Sequence, residues 1–384
     1  MQELRLSFAE PADISQVVDI HNFDVNEEEC STGVAAPIPK KVGLADFEFV
    51  SVVGQGAYGK VFLVRKKKVS PNVKSELYAM KVLKKASIVL HGKDAEHTRN
   101  ERSILEDVRH PFIVTLHYAF QTASKLYLIL GYASGGELFT YLSKERMFAE
   151  DVACFYVAEL LLALEHLHDL GIIYRDLKPE NVLLNANGHV LLTDFGLSKV
   201  ALDAQTVCGT IEFMAPEVLD DHRKGGYEKA VDYWSLGVML FDMLTGSPPF
   251  TGHNRRKIMD GILKKKVVWP KYLTPQARDL CNKLLQKNPS KRLGGGMYGA
   301  AMVQKHPFFR KVDWQKLAAL EVEPPLVPTL TNPEDISHFD ECFTSMPIGD
   351  SPAELGIGQA NPGAEADPFE HFVGFSYVAE HQYM

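Results

Sequence analysis

Ile172-Ile-Tyr-Arg-Asp-Leu-Lys-Pro-Glu-Asn-Val-Leu-Leu184 stands a short distance before Leu191-Leu-Thr-Asp-Phe-Gly196. In each stretch a polar loop is bracketed by apolar runs. Those runs read as short buried strands, so the polar groups between them rest on rigid supports. Asp176, Lys178, Asn181 and Asp194 are the polar groups in question. The oxygens of Asn181 and Asp194 are hard donors of the kind that suits Mg2+.

Upstream, Phe47-Glu-Phe-Val-Ser-Val-Val53, Lys60-Val-Phe-Leu-Val-Arg65 and Leu77-Tyr-Ala-Met-Lys-Val-Leu83 read as strands of one sheet. The first two flank Gly54-Gln-Gly-Ala-Tyr-Gly59. Dinucleotide-binding folds use the same glycine spacing, but there a helix opens at the glycines. Here a strand follows, which points to a hairpin whose backbone N–H groups close over phosphates. A plain glycine-rich hairpin is the alternative at this point. Lys81 interrupts an apolar strand, a costly place for an ammonium unless anions meet it. A phosphate and the carboxylate of Glu101, on a helix predicted over 96–108, would supply them; a surface lysine on an edge strand is the alternative. Further strands are predicted over 113–118 and 125–130.

After Gly135-Gly136 the pattern turns helical, with helices predicted over 137–142, 149–170, 231–245, 258–263 and 276–285. A small strand-rich lobe therefore precedes a larger helical one. Residues 157–173 are the most apolar helical stretch. Glu159, Glu165, His166, His168 and Asp169 interrupt it, so it reads as a buried helix rather than a membrane span. From about Phe309 the chain is rich in Pro, Glu and Gly. That is the composition of a disordered tail, although its spaced phenylalanines point to docking. Residues 1–46 show little periodicity and read as a loosely ordered leader.

Bulk composition excludes several classes. Hydrophobic content is 46% and charged content 23%, as in ordinary globular proteins. Formal charge is −8, from 41 basic and 49 acidic residues, so no global basic field favours nucleic acid. The basic clusters 65–68 and 264–266 read as solvated faces. Five scattered cysteines (Cys30, Cys154, Cys208, Cys281 and Cys342) include no C-x-x-C pair. They argue against a disulfide framework or structural zinc and fit a reducing compartment. The N-terminus lacks a charged leader followed by an apolar run, so no secretory signal is expected.

The two quoted loops resemble the catalytic loop and metal-binding D-F-G of protein kinases. The resemblance runs over roughly 47–377. Cys208-Gly-Thr210 and Met214-Ala-Pro-Glu217 match the end of a kinase activation segment, and Asp232 and Arg292 match buried anchors of the large lobe. It implies an α+β, bilobal fold: a leader over 1–46, a kinase domain over 47–309 (N-lobe 47–130, C-lobe 131–309), and a regulatory tail over 310–384. In that family's terms Asp176 accepts the proton of an attacking hydroxyl and Lys178 neutralises charge on the transferred phosphoryl. Asn181 and Asp194 hold Mg2+, with Mn2+ as a substitute, and Lys81 pairs with Glu101. The implied ATP-binding residues are Gly54, Gln55, Gly56, Ala57, Tyr58 and Gly59 in the loop. Val61, Ala79, Lys81, the gatekeeper Leu130, Tyr132 and Ala133 in the hinge, and Glu137 complete the set. Gly131 stands where relatives carry an acid; hinge hydrogen bonds come from backbone, so little changes.

Tyr174-Arg-Asp176, Lys178-Pro-Glu-Asn181 and Cys208-Gly-Thr-Ile-Glu-Phe-Met resemble the AGC group of serine/threonine kinases. Lys178 with Thr210 favours serine or threonine acceptors. Glu137 and Glu180 match positions that receive arginine upstream of the target, so protein substrates with basic motifs are expected. Each of these glutamates can equally be solvated, or, for Glu137, bound to ribose. In the tail, Phe339-Asp-Glu-Cys-Phe343 resembles the aromatic tether across the nucleotide cleft. Ser351-Pro352 resembles the turn-motif phosphosite. Phe372-Val-Gly-Phe-Ser-Tyr377 resembles the hydrophobic motif, with Ser376 as phosphoacceptor and Phe372 and Phe375 docking beside the Glu101 helix. Thr206 takes the activation-loop phosphosite, its phosphate facing Arg175, Lys199 and His97.

Leu116-His-Tyr-Ala-Phe-Gln-Thr122 and Ala163-Leu-Glu-His-Leu-His168 are most similar to the N-terminal kinase domain of mitogen- and stress-activated protein kinases. Ribosomal S6 kinases and protein kinase B are the nearest competitors. The two-kinase proteins continue into a second kinase domain; this chain stops at Met384, so a single-kinase relative and a partial protein are both expected readings. The resemblance further implies upstream activating kinases, a monomer without nucleic-acid or membrane partners, and cytoplasmic or nuclear residence. A catalytically silent scaffold is the alternative; such scaffolds usually lose Lys81, Asp176 or Asp194, all present here.

Overall fold

Period-two alternation in three segments builds a sheet from β1 (Phe47–Gly56), β2 (Gly59–Lys66) and β3 (Leu77–Lys84). The computed structural model describes residues 42–56, 59–67, 76–89, 92–196, 198–200, 210–219, 229–348, 372 and 374–379. Helices α1 (Lys85–Val89) and α2 (Gly92–Asp107) follow, then β4 (Leu116–Gln121) and β5 (Lys125–Gly131). The strands pair antiparallel in the order β1-β2-β3-β5-β4. One face buries Phe62, Val64, Tyr78, Met80, Tyr127 and Ile129. The register puts the alternate residues on the other face: Val61 and Leu128 flank Lys81, and Leu63 and Leu130 flank Ala79. That face is the roof of the cleft described below.

One predicted strand is displaced. The apolar run expected as a strand over 113–118 pairs only from Leu116. Ile113 instead forms an isolated parallel bridge with Leu192, and the Val114 N–H donates to the Leu192 carbonyl at 3.0 Å. The run is apolar because Phe112, Ile113 and Val114 are buried against the helical lobe.

That lobe comprises β6 (Gly136–Glu137), α3 (Leu138–Glu145), α4 (Glu150–Asp169), β7 (Ile172–Ile173), β8 (Val182–Leu184), β9 (Val190–Leu192) and β10 (Lys199–Val200). Then come α5 (Ala230–Thr245), α6 (Arg255–Lys264), α7 (Pro275–Leu284) and α8 (Gly299–Gln304). Every residue of α5 from Ala230 to Leu244 is buried, as befits a helix at the centre of a large core. In α4 the wholly buried Glu159 accepts from the Val190 N–H at 2.9 Å and meets His189 Nδ1 at 2.6 Å. Those partners let an acid remain in an apolar helix. Among the described residues no helix is long and apolar enough to cross a membrane.

The tail departs from its composition. Residues 310–348 carry α9 (Trp314–Ala318) and α10 (Glu341–Thr344) and lie against both lobes. Val322 and Leu326 pack on the core of the helical lobe, Phe343 and Met346 on that of the sheet. The backbone approaches closely at Gly136, where φ is +69° and an added Cβ would sit 2.3 Å from the His338 carbonyl. Further on, β11 (Tyr377–Val378) pairs antiparallel with β4 and becomes the sixth strand of the sheet.

Candidate active site

Asp232, fully buried in α5, organises the loop after β7. Its carboxylate accepts the backbone N–H of Tyr174 at 2.9 Å and of Arg175 at 2.7 Å, and meets His168 Nε2 at 2.7 Å. Arg175 is thereby held at φ +64°, a left-handed conformation that costs about 1–3 kcal/mol for a residue other than glycine. The Tyr174 hydroxyl donates to the Thr193 carbonyl, and its ring meets buried Phe195 edge-on at 5.2 Å. The two quoted loops are thus joined to each other and to the lobe's centre.

Asp176 is 5% exposed. Lys178 Nζ donates to its Oδ2 at 2.8 Å and Asn181 Nδ2 at 2.9 Å. Burial pushes the Asp176 pKa up, and Lys178 pulls against that rise. Asn181 Nδ2 also donates to the Asp176 carbonyl at 2.8 Å, so the amide nitrogen is committed and the remaining atom is a hard oxygen donor. Asp194, at φ +57°, is the other such donor. Among the described residues no cluster of three or more His, Cys, Asp or Glu could hold a metal. One carboxylate and one amide oxygen nevertheless fit Mg2+, which keeps waters and takes further oxygens from substrate phosphates.

Above these loops Lys81 Nζ donates to Glu101 Oε1 at 2.7 Å and to Asp194 Oδ1 at 3.2 Å. Burial alone would lower the Lys81 pKa; Asp194 and Glu101 more than offset it and keep the ammonium charged. The same contact holds the Asp194 carboxyl below the usual carboxylate range. Lys81 is therefore no edge-strand surface lysine: β3 is interior to the sheet.

The glycine loop joins β1 to β2, with Gly54 opposite Val61, Gln55 opposite Lys60 and Gly56 opposite Gly59. Ala57 and Tyr58 lie outside the described residues. The three glycines differ. A Cβ on Gly59 would sit 1.7 Å from the Val82 carbonyl, so close packing on β3 demands that glycine, whereas a Cβ on Gly56 would meet nothing. Val61, Ala79 and Leu130 share the roof, and Ala133 is buried in the connection to β6.

Several contacts beyond the sequence reading come from the tail. Tyr132 donates its hydroxyl to the Asp335 carbonyl at 2.8 Å and stacks on Phe339 at 5.9 Å between ring centres. Asp335 is itself fixed by donors from Thr331 and Ser337. Arg65 of β2 donates to Glu334. The short polar run Thr331 to Ser337 carries the only local signal, its capacity for side-chain-to-backbone turns. Glu137 is half-buried; burial, then the neighbouring Glu180 and Asp340, raise its pKa. These three carboxylates converge.

Phe372 and Phe375 are buried in one core with Ile88, Ala95 and Ile104. Gln121 Nε2 donates to the Phe372 carbonyl at 2.7 Å, and Lys85 Nζ lies 5.6 Å from the centre of the Phe372 ring. Ser376 is exposed. Arg102 of the Glu101 helix donates to its carbonyl at 3.4 Å, and Arg109 to the Tyr377 hydroxyl at 2.7 Å. Thr206 and Ser351 lie outside the described residues, as does the Lys199 side chain; His97 and Arg175 are half-buried. Thr210 opens the turn Ile211–Phe213. In the helical lobe Arg292 clasps Glu217 through two contacts of 2.5 and 2.9 Å.

Comparison with known proteins matches residues 47–309 to the protein kinase domain family and residues 330–377 to the protein kinase C terminal domain. The chain is 51% identical over 356 residues to ribosomal protein S6 kinase beta of Caenorhabditis elegans, covering 91% of this chain and 62% of that one. It is 51% identical over 344 residues to ribosomal protein S6 kinase alpha-2 of Mus musculus, covering 88% of this chain and 45% of the relative. The Gallus gallus ribosomal protein S6 kinase 2 alpha is equally similar, with 44% of its length matched. The chain thus spans about half the length of these relatives. With a kinase domain over most of its residues followed by the C-terminal kinase extension, this chain belongs to the AGC group of serine/threonine protein kinases.

Proposed function

We propose that this chain transfers the γ-phosphoryl group of ATP to serine or threonine hydroxyls of proteins carrying arginine upstream of the acceptor, in a mitogen- or stress-responsive signalling route. The observation that carries the reading is the convergence of two charged groups on one cleft: Lys81 with Glu101 and Asp194, and Asp176 with Lys178 and Asn181.

Adenine would lie under Val61, Ala79 and Leu130 and meet the backbone of 131–133, with Gly54 to Gly59 closing over the phosphates. Lys81, fixed by Glu101, orients those phosphates. Asn181 and Asp194 would hold Mg2+, which when bound offsets the negative charge of the phosphate oxygens. Asp176 receives the proton of the acceptor hydroxyl as its oxygen attacks the γ-phosphorus; the bond to the bridging oxygen breaks and ADP leaves with that electron pair. Lys178, 2.8 Å from Asp176, offsets charge on the moving phosphoryl and keeps Asp176 ionised. Glu137 and Glu180 supply the negative field that favours an arginine. Thr206, Ser351 and Ser376 are the candidate phosphosites through which upstream kinases act. Ser376 sits exposed beside the docked Phe375 and in reach of Arg102, which supports a role in fastening α2.

The test is Mg-dependent phosphate transfer from ATP to an arginine-containing serine peptide, after phosphorylation of Thr206. Asp176→Ala should lower kcat by about a thousandfold or more, with the peptide KM nearly unchanged. Equal, negligible turnover in wild type and variant, with Mg-ATP still raising the Tm of both, would instead identify a nucleotide-binding scaffold.

A further inference from the structure

Between His253 and Tyr272 the chain carries seven lysines and arginines and a single acid, Asp260, within a protein of formal charge −8. All seven cations are exposed. Asp260 is taken by Lys264 at 2.6 Å, so it neutralises little of the rest. Arg255-Arg-Lys257 fill the first turn of α6, the positive end of the helix dipole, where cations weaken a helix. Lys264-Lys-Lys266 close it, and Lys271 follows. Beside them stand Val268, 82% exposed, and Tyr272, 59% exposed. Neither cations at a helix N-terminus nor bare apolar side chains serve the fold.

The position of the patch gives it meaning. α6 packs against the turn Ile211–Phe213, which follows directly on Thr210, a candidate substrate-recognition residue. The acidic trio of Glu137, Glu180 and Asp340 lies instead where β6 meets the Asp176 loop. Thr210 thus borders a basic surface and the Asp176 loop an acidic one.

We propose that the α6 patch docks an acidic stretch of the protein substrate, C-terminal to the phosphoacceptor and bearing an apolar or aromatic residue for Val268 and Tyr272. The proposal rests on the kinase reading above. Substrates of this enzyme are then bipolar, with arginine upstream for Glu137 and Glu180 and Asp or Glu downstream for α6. A protein segment fits better than nucleic acid or an anionic membrane. The overall negative charge repels extended polyanions, whereas a short peptide meets the local field alone.

Binding and turnover test it separately. A fluorescent peptide of Glu and Asp around one Phe, lacking any acceptor, is titrated onto the full chain and onto K264E/K265E/K266E. Wild type should bind about fivefold to tenfold more tightly, as expected for three exposed ion pairs, and less so as salt rises. R255Q/R256Q should weaken binding by a smaller factor. In turnover, adding the acidic stretch downstream of an arginine-containing serine peptide should lower KM by the same factor in wild type only. The kcat values, and the KM of the unextended peptide, should match between the two proteins. An extension that leaves KM unchanged in wild type, or lowers it equally in the variant, overturns the proposal. So does tighter binding of phosphatidylserine vesicles or a single-stranded oligonucleotide than of the acidic peptide at equal salt. If wild type phosphorylates neither peptide, the kinase reading fails and the binding comparison still decides whether the patch docks acids.

Discussion

At the residue scale, the site is a set of charges whose protonation is fixed by burial and by one another. Asp176 is nearly inaccessible, and burial raises its pKa above that of an ordinary aspartate while Lys178 opposes the rise. As the proposed base, Asp176 works only when deprotonated, so activity should fall as pH drops through its pKa. Removing the Lys178 charge removes the opposing pull and lets burial act alone. Lys178→Met should therefore move the acid limb of the kcat/KM profile to higher pH, besides lowering the plateau. An unshifted limb in the variant would mean that Lys178 does not tune Asp176. Most of this chemistry was legible in the sequence because the reaction dictates residue type at fixed spacing: Asp176, Lys178, Asn181 and Asp194 lie within one span of nineteen residues. The separate reasons for the glycines were not legible. Gly59 is required by the Val82 carbonyl and Gly56 is not, a distinction that depends on how closely β2 approaches β3.

At the scale of elements, local periodicity gave β1 to β3, β5 and the principal helices to within a few residues. It misjudged segments whose partners are distant in the chain. The run 113–118 was apolar for two reasons, a strand from Leu116 and a junction with β9, and alternation alone could not divide them. β11 was invisible for the same cause: two residues have no period, and what makes them a strand is the free edge of β4. That edge links the tail to α2, the helix that carries Glu101. Phe372 and Phe375 are buried, Tyr377 receives Arg109, and the Ser376 carbonyl receives Arg102 from the helix that carries Glu101. Truncating a buried phenylalanine costs about 3–5 kcal/mol where the site cannot collapse, enough to undock so short a segment. Phe375→Ala should lower turnover several-fold by freeing α2. The Tm of the chain should change little, because two strand residues contribute little to global stability. Hydrogen exchange at Ala119 and its neighbours should quicken in the variant. Unchanged turnover with faster exchange would separate tail docking from activity.

At the scale of the molecule, the tail is a strap over both lobes, and its composition concealed this. A segment with few apolar residues reads as disordered because composition counts side chains and ignores the gaps awaiting them. Here a few spaced apolar residues pack on the cores of the two lobes: Val322 and Leu326 on the helical lobe, Phe343 and Met346 on the sheet. Between them the strap passes the hinge, where Arg65 holds Glu334, the Tyr132 hydroxyl meets the Asp335 carbonyl and the Tyr132 ring stacks on Phe339. Tyr132 lies in the stretch expected to border adenine, so the strap and the nucleotide share one wall. An aromatic pair contributes about 0.5–1.5 kcal/mol beyond the area it buries, which corresponds to about twofold to twelvefold in affinity. Phe339→Ala should accordingly raise the KM for ATP by that factor. The peptide KM should stay put, because neither Tyr132 nor Phe339 carries charge toward Glu137, Glu180 or α6. A double variant with Tyr132→Ala should lose less than the sum of the two single changes, since both remove the same stack while Tyr132→Ala also removes the bond to Asp335. If Phe339→Ala instead raises the peptide KM and spares ATP, the strap guards the substrate side of the cleft rather than the nucleotide.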